Sequence, residues 1–327
     1  MLNAEDADAP RVAPGADHRA LEFYRMMLRV RLFEAFCMDI RNKGEALGNT
    51  YPSLGQEAIG VAGLALQARD VVFPSYRSRP IFFGKGITVE DHLRELLGGP
   101  ASLLDGREVF HHCAWPDKGV MPASSMIGGW APMAAGYALA QQLDGDGGIT
   151  VLCIGDGAFG AGDLHEALNM IGVYKLPVLL ICENNGYQVS EPWSAMRVRR
   201  GLSRYVEPHG FECFEIDGND PFAVYEATRE ARPRVAAGTP VLLDCYTYRM
   251  GGYSSHFGEP RRGNEAEMAE WKKRDPIERA RRQCVAAGIA ELALDAMAQD
   301  ERAAIEAAWQ AARAAHAAAA RPNARGH

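Results

Sequence analysis

The sequence predicts an α/β fold of the doubly wound type, a mainly parallel sheet flanked by helices. Three observations lead there. Residues 149–154 are a six-residue apolar run, GDGAFGAG follows, and a helix opens at Asp163 and continues to Tyr174 before a second apolar run at 178–182. Strand, glycine turn, helix and strand make a βαβ unit, and strands apolar on both faces belong to a buried parallel sheet. Two further runs, 211–216 and 241–248, supply additional strands.

The remaining elements follow in chain order. Residues 20–41 read as an amphipathic helix, because Leu21, Leu28, Leu32, Phe36 and Ile40 recur at helical spacing and Gly44 lies past the end. Residues 56–68 read as a second helix, rich in small residues that permit close packing. From 84 to 121 the pattern is irregular, with several Gly, Pro and His; it predicts long loops around one helix near 89–97, and long loops inside a compact domain are usually functional. Asp163 and Glu166 have capping-box spacing, which supports a helix start there. An Ala-rich stretch at 291–320 forms a C-terminal helical extension, either a packing helix or a subunit contact. Residues 1–17 and 321–327 lack apolar periodicity and read as disordered tails, leaving 18–290 as the main domain.

Composition excludes several function classes. At 327 residues, 47% hydrophobic and 24% charged, the chain can bury a large core of one or two domains. Its net charge of -7, with Lys and Arg interspersed among acids, makes nucleic acid a poor partner. No apolar run approaches the roughly 20 residues of a membrane span, and the N-terminus lacks the basic-then-apolar order of a signal peptide, so no membrane partner and a cytoplasmic location are expected. The seven Cys contain no CxxC and read as reduced core thiols.

Ligands of open α/β sheets bind beyond the carboxyl ends of the strands. Three polar clusters fall at such ends: Gly155, Asp156 and Gly157; Glu183, Asn184 and Asn185; and Arg249. Residues 155–160 spell GDGAFG, a literal GxGxxG, and Glu183 sits near where a dinucleotide site wants its ribose-binding acid. Against that reading, Asp156 would set a carboxylate beside a pyrophosphate, a repulsion that a metal ion turns into attraction. Residues 158–183, 26 in all, separate Gly157 from Asn184, enough for one helix and one strand, so Asn185 returns to the sheet end that carries Asp156. Magnesium prefers octahedral oxygen ligands and commonly takes one carboxylate plus phosphates. The set here would be the Asp156 carboxylate, the Asn185 amide oxygen, the Tyr187 backbone carbonyl, two diphosphate oxygens and a water. Gly155 and Gly157, with Ala158 next in the turn, allow close backbone approach, and the following helix N-terminus favours the anion.

GDG, about 26 residues and NN resembles the thiamine diphosphate motif. The wider text is similar to the alpha subunit of the decarboxylating component of 2-oxo acid dehydrogenase complexes, of pyruvate or branched-chain type. The matching words are LGQEAIG (54–60), YR (76–77), GREVFHH (106–112), PMAAGYALA (132–140), GDGAFGAGDLHEALNM (155–170), KLPVLLICENNGY (175–187), DGND (217–220), TYR (247–249) and DPI (275–277), spread over about residues 20–285. The resemblance implies a thiamine diphosphate-binding fold in which Tyr76, Arg77 and Arg249 hold the diphosphate. Ile127 would be the apolar wedge that bends the cofactor, and the Ser125 carbonyl would accept from its aminopyrimidine. It also implies a separate beta subunit supplying the glutamate that faces the pyrimidine, an α2β2 assembly, and a lipoyl domain as acyl acceptor.

Three positions usually His in such subunits are Tyr51, Arg79 and Tyr253 here, all expected on the chemistry side. His112 aligns with the His ending a loop motif of the resemblance and is, with Tyr253, a candidate for the chemistry; His111 and His256 read as solvated loop residues. His165 and Glu166 are explained by packing and capping, and the run Arg197, Arg199, Arg200, Arg204 by a solvated loop or subunit contact. Ser254 aligns with a serine phosphorylated in some relatives. Two functions follow. The overall resemblance favours a 2-oxo acid dehydrogenase component, and the absent histidines favour a split transketolase-like enzyme moving a two-carbon unit from a ketose to an acceptor such as an acyl carrier protein.

Overall fold

The computed structural model describes residues 16–45, 50–99, 102–105, 107, 112–192, 195, 201–254 and 265–319. Five parallel strands form the central sheet: β1 (Val71–Phe73), β2 (Thr150–Gly155), β3 (Val178–Asn184), β6 (Glu212–Asp217) and β7 (Val241–Tyr246), in the order β1-β2-β3-β7-β6. A short hairpin, β4 (Tyr187–Gln188) and β5 (Glu191–Pro192), follows β3. Side chains alternate across β2, β3 and β7, and both sets are buried. Val151, Cys153, Leu179, Ile181, Val241 and Leu243 enter one apolar cluster; Leu152, Ile154, Leu180, Cys182 and Leu242 enter the other. That two-sided burial is why these strands read as continuous apolar runs.

One face is covered by α4 (Ala131–Asp144), α5 (Gly162–Tyr174) and the short α6 (Ser203–Val206), through Ala134, Ala138, Leu164, Leu168 and Val206. The other face carries α1 (Ala16–Asn42), a 3-10 helix (Glu57–Ala65), α2 (Arg79–Gly84), α3 (Val89–Leu97) and α7 (Pro221–Ala236), and on that side α9 (Pro276–Ala286) and α10 (Glu291–Ala319) pack outside. The remaining helix, α8 (Glu265–Lys273), has no buried residue. The Ala-rich segment is a packing helix. Leu294, Ile305 and Trp309 of α10 join the α1 core, and Glu301, 2% exposed, accepts from Arg25 at 2.6 Å and Arg29 at 2.7 Å.

Several sequence expectations are corrected. Residues 57–65 wind as a 3-10 helix, held against α2 so closely that a Cβ on Gly60 would lie 2.6 Å from Pro80. The expected capping box at Asp163 is not formed: α5 begins at Gly162, and its N-cap Ala161 offers no side-chain acceptor. Ala16 and Asp17, assigned to the tail, open α1. The rest of both tails, His111, His256, Arg197, Arg199 and Arg200 lie outside the described residues.

Candidate functional site

Because the strands are parallel, their carboxyl ends share one edge, with Gly155 in register with Glu183 and Asn184 with Tyr246. Beyond that edge opens a cleft of about 840 Å³. It is lined by Tyr76 and Arg77 after β1, by Gly155, Asp156, Gly157 and Ala158 after β2, by Asn185 and Tyr187 after β3, and by Arg249 and Tyr253 after β7, with Ile127 on the loop before α4. Eleven of the thirteen residues singled out from sequence therefore meet here. Ser125 and His112 do not line the cleft: His112 Nε2 lies 2.7 Å from Ser125 Oγ at the surface, although the neighbouring Ser124 and Met126 do line it.

The glycine turn is built for a close neighbour. A Cβ at Gly155 would meet nothing within 4 Å and would project into open space, where it would obstruct a ligand against the backbone. Asp156 is 1% exposed. The NN pair divides its work between two sides: Asn184 Nδ2 donates to Asp244 Oδ1 at 2.8 Å and ties β3 to β7, whereas Asn185 lines the cleft. Asn185 Nδ2 donates to Gln56 Oε1 at 3.2 Å, and its Oδ1 accepts from the Tyr187 N–H at 3.2 Å. The amide is thus oriented by the loop at 50–56.

Both arginines are buried and braced. Arg77 Nε donates to Pro52 O at 3.2 Å and Nη2 to Tyr253 O at 2.6 Å, while Arg249 Nη2 donates to Val189 O at 2.7 Å. Their guanidinium groups flank a cluster of phenols. Tyr51 packs on Tyr76 at 4.4 Å and on Tyr253 at 5.5 Å between ring centroids, with Arg77 5.7 Å and Arg249 5.6 Å from the Tyr253 ring. Burial, reinforced by Tyr76 and Tyr51, pushes the Tyr253 phenol well above its usual range, although Arg77 pulls it down. Glu183 is a cleft residue to which sequence reasoning gave no role outside the dinucleotide reading. Ser78 Oγ donates to its Oε1 at 2.5 Å, and burial raises its pKa against Ser78, Arg77 and Ser75.

Chemically, the residues singled out from sequence bring to the cleft the Asp156 carboxylate, the Asn185 amide and the Tyr187 backbone beside two cations, Arg77 and Arg249, with the Glu183 carboxyl bonded to Ser78. Hard oxygen donors with a single carboxylate fit magnesium that shares phosphate ligands, and the two arginines fit the phosphates themselves. Among the described residues no cluster of three His, Cys, Asp or Glu could hold a metal ion unaided.

The sequence profile of the dehydrogenase E1 component family matches residues 24–321. The chain belongs to that family. Its relatives include the mitochondrial 2-oxoisovalerate dehydrogenase subunit alpha of Caenorhabditis elegans, 30% identical over 267 residues that cover 80% of this chain and 62% of that one. The Zymomonas mobilis pyruvate dehydrogenase E1 component subunit alpha is 32% identical over 303 residues, 90% of this chain and 85% of that one. The corresponding Staphylococcus aureus subunit is 31% identical over 270 residues, 81% and 70%. Against the worm protein and two Arabidopsis thaliana relatives, the chain spans less than two thirds of their length.

Within this E1 component one expected departure is relocated. Arg79 was placed on the chemistry side, yet its side chain is 4% exposed and turned beneath α1, with Nη1 3.4 Å from Glu34 Oε1. It opens α2, and the helical turn swings it away from the neighbours that face the cleft. Tyr51 and Tyr253 remain at the cleft end, one packed on the other.

Proposed function

We propose that the chain is the alpha subunit of a thiamine diphosphate- and magnesium-dependent 2-oxo acid dehydrogenase, decarboxylating pyruvate or a branched-chain 2-oxo acid and passing on the acyl group. The observation that carries this reading is the convergence of Asp156, Asn185 and Tyr187 with Arg77 and Arg249 in one cleft at the carboxyl ends of β2, β3 and β7. The relatives support it, being pyruvate and 2-oxoisovalerate dehydrogenase subunits, and do not favour the transketolase-like alternative.

In this reading Asp156, the Asn185 amide oxygen and the Tyr187 carbonyl hold magnesium. Arg249, Arg77 and Tyr76 hold the diphosphate, the arginines exchanging backbone carbonyls for stronger charge-assisted bonds to phosphate. Gly155, Gly157 and Ala158 keep the turn thin enough for contact. Ile127 is the wedge that sets the bend of the cofactor, and the Ser125 carbonyl, with its side chain braced by His112, receives the aminopyrimidine. Thiamine diphosphate, when bound, supplies a nucleophilic carbon and an electron sink. Tyr253 orients an oxygen of the reacting acid as a neutral phenol donor. A beta subunit supplies the missing acid that faces the pyrimidine, giving α2β2, and a lipoyl domain takes the acyl group. A cytoplasmic location is proposed; no described helix is long and apolar enough to cross a membrane.

The test is calorimetric. Thiamine diphosphate should bind with magnesium and lose at least ~100-fold in affinity in Asp156→Ala, since removal of the carboxylate leaves the metal without its main charge match. Unchanged binding by the variant would sink the site assignment.

A further inference from the structure

The turn carrying Asn185 and Tyr187 has space beside it. A second, open hollow shares Asn185 with the main cleft and is lined also by Gly186, Tyr248, Glu267 and Trp271. Hydrogen bonds hold the turn from two directions. On one side Gln56 holds the Asn185 amide; on the other, Tyr187 Oη donates to Glu267 Oε2 at 2.7 Å. The same carboxylate oxygen accepts from Tyr248 Oη at 3.4 Å. Tyr248 immediately precedes Arg249, so one oxygen joins the end of the β3 turn to the segment that carries the cleft arginine.

Glu267 belongs to α8, none of whose residues is buried. The helix is fastened instead by Trp271, stacked on Tyr248 at 5.4 Å and 11°, with Arg274 4.5 Å above Trp271 and 3.1 Å from Asp217. A surface helix is thus anchored through the two tyrosines that flank the site.

We propose that Glu267 is a positioning residue, a clamp that fixes the spacing between the Asn185–Tyr187 turn and Arg249 and thereby sets the affinity for magnesium and diphosphate together. This rests on the cofactor reading above. Bonds to a carboxylate are stronger than neutral ones, and partners one shell beyond a metal commonly cost ~10- to 100-fold in affinity when removed.

The experiment titrates thiamine diphosphate with magnesium, and separately inorganic diphosphate with magnesium, into the chain assembled with its beta partner. Glu267→Ala should weaken both by ~10-fold at a temperature where the apo complex is still folded, which a melting curve checks. Glu267→Gln, which keeps an acceptor oxygen, should recover part of the loss. Tyr187→Phe removes the phenol but keeps the backbone carbonyl, and in combination with Glu267→Ala it should cost no more than either alone. Native affinity in Glu267→Ala, or losses that multiply in the double variant, would overturn the clamp while leaving the cofactor assignment standing. A native complex that binds neither ligand is a different result: it removes the cofactor reading and the clamp with it.

Discussion

Tyr253 keeps its proton throughout the range in which an imidazole would titrate, because burial and the neighbouring phenols outweigh the pull of Arg77. No ionisation from this position should appear in the pH profile of kcat/KM. Tyr253→His should introduce one near ~6.5 and raise acyl transfer to a lipoyl domain by ~10²-fold, read by pre-steady-state acylation. An unchanged profile in the variant would mean that the side chain does not meet the reacting atoms. Glu34 titrates in the opposite sense to a stabilising carboxylate. Burial lifts it to about 7 against the Arg79 charge, above its value in an unfolded chain. The protonated form therefore favours folding: its contribution is complete below about pH 4.5, is lost as pH rises through about 7, and amounts to at most about 3 kcal/mol. Glu34→Gln, which mimics the protonated acid, should be close to native stability near pH 5, and its melting temperature should fall less between pH 5 and 7. Asp156 and Asn185 were legible from spacing alone, since a helix and a strand return the chain to the same sheet edge. The direction of Arg79 was not, because spacing says nothing of where an α2 side chain turns, and neither was the Glu267 clamp, 80 residues from Tyr187.

At the scale of elements, the irregular segment at 50–56, which orients the Asn185 amide, is held by buried carboxyl groups. Ser53 N–H donates to Glu34 Oε2 at 2.7 Å and Gly55 N–H to Glu57 Oε2 at 3.0 Å, while Arg31 pairs with Glu57 and with Asp275 at 3.0 Å. Removing one partner strands the other in the core, so Arg31→Met should cost about 3 kcal/mol in chemical denaturation and speed hydrogen exchange at Ser53 and Gly55. Gly60→Ala should cost about 2 kcal/mol, because its Cβ would meet Pro80 backbone that cannot yield. Strands β2, β3 and β7 could be read from sequence since two-sided burial makes them largely continuous apolar runs. The three-residue β1 is too short for such a signal, and α7 carries Pro233 inside it, which argues against a helix until the Asp220 cap and the packing of Val224, Ala231 and Val235 are seen. The failed capping box has a similar cause: the chain enters α5 from the 3-10 turn Asp156–Gly160, which sets the start one residue before Asp163.

The whole chain presents its cleft with an apolar rim. Met126 is 75% exposed, Ile127 46% and Val189 48%, beside a site in which Arg77, Asp156, Glu183, Asn185 and Arg249 are buried. Large apolar side chains gathered at the mouth of a binding cleft mark a surface that another molecule covers. This is the physical case for a partner that covers the site. The chain alone should give no turnover of pyruvate or 2-oxoisovalerate. Co-purified with its beta subunit, it should be active and sediment at about twice the mass of one αβ pair. Met126→Glu places a charge on the rim that assembly would have to desolvate, at a cost of a few kcal/mol, so it should lower activity by at least ~10-fold at fixed subunit concentration. Raising the beta-subunit concentration should restore much of that loss, whereas no concentration of partner should restore Asp156→Ala. Full turnover by the isolated native chain would show that the cleft is complete without a second subunit, and equal loss in Met126→Glu at every partner concentration would place Met126 against the cofactor instead of the interface.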